Sequence, residues 1–280
     1  MRQYLDIVKT VLEKGEWKPN RTGIRAKSLV GSMFEHDMGK GFPLLTTKHI
    51  PFRLVSSELE FFIKGLTDKR WLQDRNNHIW DEWCSPLKVP YGHDEETKRR
   101  MIEEPDLGPV YGYQWRNFDG VGIDQLANIV QTLKTNPSDR RMLCMAWNPK
   151  ALHAQALPPC HYGFQVLVSG EKLDTLNLIW NQRSVDVMLG LPFNIASYGL
   201  LLELLAKEVG MKAGKLIGFL ADVHIYENHI AGACLQLERE PLPLPELVIN
   251  GFTSIFDWDY TQAEVINYSH HGRIKFDIAV

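Results

Sequence analysis

The sequence lacks the long hydrophobic runs and the charge bias that mark membrane proteins and nucleic-acid-binding proteins. No stretch of its 280 residues is apolar for long enough to span a bilayer. Asp6 and Glu13 interrupt the first segment, residues 1–14, so we expect no signal peptide there. The formal net charge is only −3, which gives no overall basic field for DNA or RNA. A small anionic ligand would instead need a local cluster of arginines.

Cysteine is also scarce. The four cysteines form no CxxC pair and no plausible zinc set, so we expect no metal site; they are Cys84, Cys144, Cys160 and Cys234. Without an export signal they are interpreted as reduced thiols, which predicts a cytoplasmic protein.

A Rossmann signature is absent as well, since the chain has no GxGxxG and no regular βαβ rhythm. Helical periodicity marks 1–14, 54–63, 123–133 and 200–209, and strand patterns mark 28–33, 142–147, 162–168, 173–180 and 216–225, with 273–280 as a further extended candidate. This mixture predicts an α+β fold with a mixed sheet packed by helices. No linker divides the chain, so we expect one domain over 1–280, with the polar, proline-containing segment 84–106 as a surface insertion.

Cys160 follows two prolines, Pro158 and Pro159, which would hold the backbone and place the thiol at the entrance of a strand. Tyr162 and other apolar residues alternate there with His161 and its period-two partners. Adjacent strand residues point to opposite faces, so we do not expect His161 to be a simple base for Cys160. Nearby cations would have to lower the pKa of the thiol. A lone cysteine is more often a small buried hydrophobe, and that reading stays open.

Other polar residues have two readings each. Arg21, Arg183 and the pair Arg140–Arg141 are either surface charges or a phosphate site, because guanidinium groups grip phosphate with two hydrogen bonds. A second group shares one face of a strand and lines either a site or a structural network: Asp222, His224 and Tyr226. Asn194 is either a helix N-cap or a reader of a base edge.

Together these segments resemble the thymidylate synthase family. The matching pieces run in order along nearly the whole chain: 21–23, 42–48, Glu58, 79–83, 108–112 with 114–116, 140–141, 159–161, 182–184 with Asp186, 189–194, and Asp222, His224 and Tyr226. The resemblance implies a homodimer packed sheet against sheet, dUMP as substrate and methylene-tetrahydrofolate as carbon donor.

The resemblance also implies residue roles. Cys160 is the nucleophile that adds to carbon 6 of uracil. The implied catalytic set is Cys160, Glu58, Tyr111, His161, Asn194, Asp186 and Arg183. The implied substrate-binding set is Arg21, Arg183, Ser184, Asp186, Asn194, His224 and Tyr226, with Arg140 and Arg141 reaching the phosphate pocket of the second subunit. The implied folate wall is Trp80, Trp83, Asp186, Leu189, Gly190, Phe193 and Val280.

The chain departs from the family pattern at a few places. Ala221 replaces a usual glycine, Pro51 replaces a common histidine, the hairpin before Gln182 is about three residues longer, and the tail 277–280 is a variant. These changes bear on folate closure and on the product. One alternative is therefore a dUMP hydroxymethylase, which adds water instead of hydride; Asn194 favours uracil, since cytosine-specific relatives carry Asp there. The other is a non-catalytic RNA-binding protein, which the net charge argues against as a main role.

Overall fold

The computed structural model describes residues 1–20 and 23–277. Its helices are α1 (Arg2–Lys14), α2 (Phe52–Ile63), α3 (Arg70–Gln73), α4 (Glu95–Glu103), α5 (Tyr111–Arg116), α6 (Gln125–Thr135), α7 (Gly190–Val209) and α8 (Ile230–Leu237). Its strands are β1 (Glu16–Lys18), β2 (Ala26–Asp37), β3 (Leu143–Met145), β4 (His161–Ser169), β5 (Thr175–Asp186), β6 (Lys212–Tyr226), β7 (Glu246–Ile249) and β8 (Ala263–Ile266). Among these residues, no helix is both long and apolar enough to cross a membrane.

A mixed sheet organises the molecule. Six strands lie in the order β1-β2-β6-β5-β4-β3, and β7 pairs with β8 in a separate hairpin. Neighbours in the large sheet are antiparallel except β5 and β6, which are parallel. Parallel strands need a long crossover, and α7 supplies it between β5 and β6. The predicted α+β class with a mixed, helix-packed sheet is confirmed.

The core lies between the sheet and α7. The helix is apolar over a wide arc, and thirteen of its residues are buried. Its Tyr198 stacks on Trp180 of β5, with ring centroids 5.4 Å apart and planes within 9°. Trp180 in turn contacts Phe34 of β2. The inward residues of the central strands therefore fill one packed layer beneath α7.

The outward positions of the same strands are partly apolar and exposed. Met33 of β2 and Phe219 of β6 are register partners, and their exposed fractions are 55% and 48%. Leu143 at the sheet edge is exposed as well. Isolated exposed apolar residues are ordinary, but a run across neighbouring strands is typical of an interaction surface.

Most helices and strands lie where hydrophobic periodicity predicts them, with shifted ends. Of the extended candidate 273–280, the described residues 273–277 belong to no strand, and 278–280 lie outside the described residues. The hairpin β7–β8 and the short buried helix α5 carry no strong periodic signal and were not predicted. Segment 84–106 contains a helix, α4, which Asp94 caps by accepting a hydrogen bond from the Thr97 amide.

Candidate active site

Cys160 lies in a bend directly before β4, at the predicted strand entrance. Its carbonyl accepts a hydrogen bond from the Arg183 backbone amide at 2.8 Å. The Arg183 guanidinium donates to the carbonyls of Pro158 at 2.7 Å and Pro159 at 2.9 Å. Arg183 therefore holds the backbone that presents the half-buried thiol, and its positive charge lies beside that loop.

A β-bulge turns His161 into the core. His161 pairs with Gln182, whereas Gly163 pairs with Asn181, so β4 carries one extra residue around Tyr162. Strict alternation with the buried Phe164 and Val166 would place His161 on the opposite face of β4, and the bulge changes this. Bulges re-aim side chains in this way, often next to functional sites.

The buried His161 ring is held between two tyrosines. Its Nδ1 lies 2.9 Å from the Tyr198 hydroxyl, and its ring stacks on Tyr111 at 4.4 Å. Burial lowers the pKa of His161 to about 3, so its imidazole is neutral at physiological pH. The Tyr111 hydroxyl accepts a hydrogen bond from the Cys160 amide at 2.9 Å. Burial raises the pKa of Tyr111 well above its usual value, so it stays a phenol.

Glu58 and Trp80 lie next to Tyr111. The indole Nε1 of Trp80 donates to Glu58 Oε1 at 2.8 Å. Burial raises the pKa of Glu58 to about 7, and the indole hydrogen bond only partly opposes this rise. Trp80 contacts Tyr111 edge to face at 6.0 Å. Glu58 is thus a carboxyl that changes protonation near neutral pH. It lies close to Tyr111, whose hydroxyl is hydrogen-bonded to the Cys160 amide.

Asn194 lies inside α7, four residues after its first residue, so the N-cap reading is wrong. Its Oδ1 accepts a hydrogen bond from Gln182 Nε2 at 2.9 Å, and Gln182 Oε1 accepts from Trp180 Nε1 at 3.1 Å. An indole N–H only donates, so each amide in this chain has one possible orientation. This row of hydrogen bonds, from Trp180 through Gln182 to Asn194, therefore fixes the positions of the oxygen and the nitrogen of the Asn194 amide.

Asp186 shapes the turn into α7. Its Oδ1 accepts hydrogen bonds from the amides of Met188 at 2.9 Å and Leu189 at 3.0 Å. At Gly190, an added Cβ would make only ordinary contacts, with Asn194 at 3.7 Å and Asp186 at 3.9 Å. The protein itself therefore does not require glycine there, and the space lies open beside Asn194. Phe193 packs against the main core from this helix start.

The polar residues of β6 lie beside this site because β6 pairs with β5, the strand that carries Ser184 and Asp186. Ser184 pairs with Asp222, and Asp186 pairs with His224. The His224 ring is buried and contacts Tyr226 at 5.2 Å. All three polar residues of the run, Asp222, His224 and Tyr226, belong to β6.

Arg140 and Arg141 are not brought to Cys160 of their own chain. Both are exposed and precede β3, where Leu143 pairs with Gln165 of β4. Continuing this register places Arg141 about seven residues, or roughly 23 Å, along the sheet from Cys160. That distance exceeds the reach of an arginine side chain.

Trp83 lies at the start of the insertion, half-buried, with its ring stacked on Tyr91 at 5.9 Å. Arg21 and Val280 lie outside the described residues. The last described part of the tail is anchored, since Phe276 packs on His229 and the Asp277 carbonyl lies 2.7 Å from His229 Nε2.

Two residues of the site were not singled out as functional from the sequence. Gln182 is a buried glutamine within a strand, which requires a hydrogen-bonding role. Tyr198 follows Asn194 by four positions on α7, so the two lie on one helix face. Only the second signal, the spacing of Tyr198 from Asn194, is readable from the sequence.

Fold and site together define an α+β enzyme in which contacts through Tyr111 and Gln182 link a cysteine to a titratable carboxyl and an oriented amide. A family model described as "Thymidylate synthase" matches residues 2–280. The thymidylate synthase of Mycoplasma pneumoniae (strain ATCC 29342 / M129 / Subtype 1) is 42% identical over 292 residues, with all of both chains covered. The chain belongs to the thymidylate synthase family, and it is accordingly a methyltransferase. Members of this family bind dUMP and use a folate co-substrate.

Proposed function

We propose that this enzyme methylates dUMP reductively to dTMP, with methylene-tetrahydrofolate donating both carbon and hydride, through a covalent adduct of Cys160. The observation that carries the proposal is the oriented amide of Asn194. It accepts a hydrogen bond from Gln182, and Gln182 pairs across the sheet with His161, the residue that follows Cys160. Carbon 5 of uracil is a weak nucleophile. Attack of the Cys160 thiolate on carbon 6 converts the uracil ring into an enolate that is nucleophilic at carbon 5. One difficult step is thereby divided into easier ones.

Asn194 selects and stabilises the base. With Oδ1 directed by Gln182, the amide nitrogen donates to the uracil oxygen at position 4, and Oδ1 has a second lone pair for the ring N–H. A fixed donor at an oxygen that gains charge stabilises the transition state. The phosphate is held by Arg21, Arg183 and Ser184, the deoxyribose hydroxyl by His224 and Tyr226, and Asp186 braces the turn between them.

Glu58 moves protons at the base, because its pKa of about 7 lets it both accept and donate at physiological pH. His161 and Tyr111 stay neutral, so they organise hydrogen bonds and water around Cys160 without changing charge. The Arg183 guanidinium beside the Pro158–Pro159 carbonyls supplies positive potential that favours the thiolate.

The residues present fit a folate. The co-substrate supplies a one-carbon unit at the oxidation level of formaldehyde, and hydride. Trp83 and Phe193 offer partly exposed aromatic surfaces, Trp80 is buried beside Glu58, and an added Cβ at Gly190 would make only ordinary contacts, which leaves room for a ring beside Asn194. Leu189 and Asp186 continue this wall, and Val280 completes the proposed folate-binding set.

We propose that the active form is a homodimer packed sheet against sheet. Met33 and Phe219 form an exposed apolar pair across β2 and β6, and Leu143 is exposed at the β3 edge of the same sheet; a second copy would cover these residues. The reach of Arg140 and Arg141 supports the same arrangement, because these exposed arginines cannot meet Cys160 within one chain. Asp139 braces Arg141 with two guanidinium hydrogen bonds.

We also propose a single domain over 1–280 with an insertion at 84–106, and a cytoplasmic location. None of the four cysteines forms a disulfide.

The deciding experiment follows dihydrofolate during dUMP turnover. Hydride transfer oxidises the folate, so a synthase forms one dihydrofolate for each dTMP. A dUMP hydroxymethylase would consume dUMP, release tetrahydrofolate and give 5-hydroxymethyl-dUMP on mass spectrometry, which would contradict the proposed reaction.

A further inference from the structure

Lys69 is a buried cation that the site as described does not use. Only 1% of the residue is exposed. Its ammonium donates three hydrogen bonds, to the carbonyls of Asp81 at 2.7 Å, Trp83 at 2.8 Å and Met101 at 2.8 Å. An ammonium has three N–H donors, so all of them are used. Burial lowers the pKa of Lys69, and the nearby acidic groups of Cys84, Asp81 and Glu104 partly oppose this shift.

The three carbonyls belong to two segments that are distant in sequence. Asp81 and Trp83 lie on the leg that enters the insertion, and Met101 lies in the last turn of α4. The final carbonyls of a helix lack partners within the helix and carry partial negative charge. Lys69 therefore caps α4 and ties it to the Trp83 leg at one point.

The backbone of Lys69 holds the returning leg. Its amide donates to the Pro105 carbonyl at 2.9 Å, and the neighbouring residues Asp68 and Asp106 form an antiparallel bridge. The Ser85 amide donates to the Asp106 carbonyl at 2.7 Å, which closes the base of the insertion. Both legs of the insertion thus meet at Lys69.

Two residues whose carbonyls Lys69 binds also line a cleft. Trp83 and Met101 face it together with Tyr91, Lys98 and Ile102, and its volume is about 170 Å³. The ring of Tyr91 stacks on Trp83. The spacing between these walls is set by the three hydrogen bonds of one ammonium group.

We propose that Lys69 is a positioning residue for folate binding, which couples the insertion to the indole of Trp83. This inference rests on the proposed function, since it takes Trp83 as part of the folate wall. Without the ammonium, three buried carbonyls lose their donor, and α4 and the Trp83 leg separate. The thiol, Asn194 and the phosphate residues lie on other elements, so dUMP binding does not depend on Lys69.

The test compares Lys69→Met with Lys88→Met, which makes the same change at an exposed position of the same insertion. Lys69→Met should raise the KM for the folate by about tenfold, the effect of losing a charged hydrogen-bond donor. The Kd for dUMP and kcat should change little, and Lys88→Met should behave as wild type. Leu133→Ala, a cavity in distant α6, controls for lost stability alone. An unchanged folate KM in folded Lys69→Met, or an equal loss of dUMP affinity, would overturn the inference.

A measurement on the wild type covers the case in which Lys69→Met does not fold. Adding the folate to the dUMP complex should slow hydrogen exchange at the amides of both Trp83 and Glu104, which follows α4. Protection of Trp83 without Glu104 would refute the coupling. A wild type that makes no dihydrofolate would instead count against the proposed function, so the two failures are distinguishable.

Discussion

The orientation of Asn194 can be tested by removing the residue that sets it. Gln182→Met replaces the amide by a side chain of similar length without hydrogen-bond donors. The Asn194 amide then loses its partner at 2.9 Å and can rotate, so that it presents either nitrogen or oxygen to the base. Uracil and cytosine have opposite donor and acceptor patterns at this edge. A rotating amide therefore no longer distinguishes them.

The magnitude follows from the cost of a mismatched buried hydrogen bond, which is about 1–3 kcal/mol. If that cost sets the preference for dUMP over dCMP, its loss lowers the ratio of their kcat/KM values by roughly fivefold to 150-fold. The indole N–H of Trp180 also loses its acceptor at a fully buried position, so the free energy of unfolding should fall by about 1–3 kcal/mol.

The assay measures kcat/KM for both nucleotides by dihydrofolate formation, at a temperature where each variant is folded. Gln131→Met, on the exposed surface of α6, is the matched control and should leave the ratio unchanged. Asn194→Asp should move it further toward dCMP, because a carboxylate only accepts hydrogen bonds or, when protonated, donates from one oxygen. If Asn194→Asp moves the ratio and Gln182→Met does not, Gln182 does not orient the amide.

Three further predictions address the thiol, the dimer and the carboxyl. Cys160→Ala should abolish turnover but keep dUMP binding, and only the wild type should give a covalent adduct with fluoro-dUMP and the folate; an adduct at another cysteine would overturn the assignment. Inactive Cys160→Ala subunits mixed with inactive Arg140→Ala/Arg141→Ala subunits should regain partial activity, because one hybrid site has both features; a monomer by light scattering would exclude this. Burial raises the pKa of Glu58 from 4.5 to about 7, so its contribution to stability is full below about pH 4.5 and is lost as pH rises through 7. Glu58→Gln should therefore raise the melting temperature relative to wild type at pH 8 but not at pH 4, and it should remove a kinetic pKa near 7; equal shifts at both pH values would contradict the titration.

The elements that periodicity defines were predictable because one face of each is buried in the same core. The helix at α7 and the strands β4 and β6 follow this rule. The short elements were harder: α5 has only six residues, and β7 and β8 have four each. Such segments are too short to show a period, and their structure comes from contacts distant in sequence.

In the candidate site, too, some features were predictable from the sequence and others depend on contacts distant in sequence. Ordered motifs identified Cys160, Asn194 and Glu58 through the family resemblance, but not their orientation. His161 is the clearest case, since strict alternation puts its side chain outward. The bulge at Tyr162 reverses this, and it arises from the register between β4 and β5, which a single strand does not encode.

Burial assigns opposite charge behaviour to two titratable side chains of the site, Glu58 and His161. Loss of hydration disfavours the charged form of each group, so it raises the pKa of Glu58 to about 7 and lowers that of His161 to about 3. At neutral pH, Glu58 exchanges protons readily, whereas His161 is held neutral with its Nδ1 at the Tyr198 hydroxyl. One cause thus separates a proton carrier from a fixed hydrogen-bonding group. Proton transfer in the proposed reaction therefore depends on Glu58, although the histidine is the immediate sequence neighbour of Cys160.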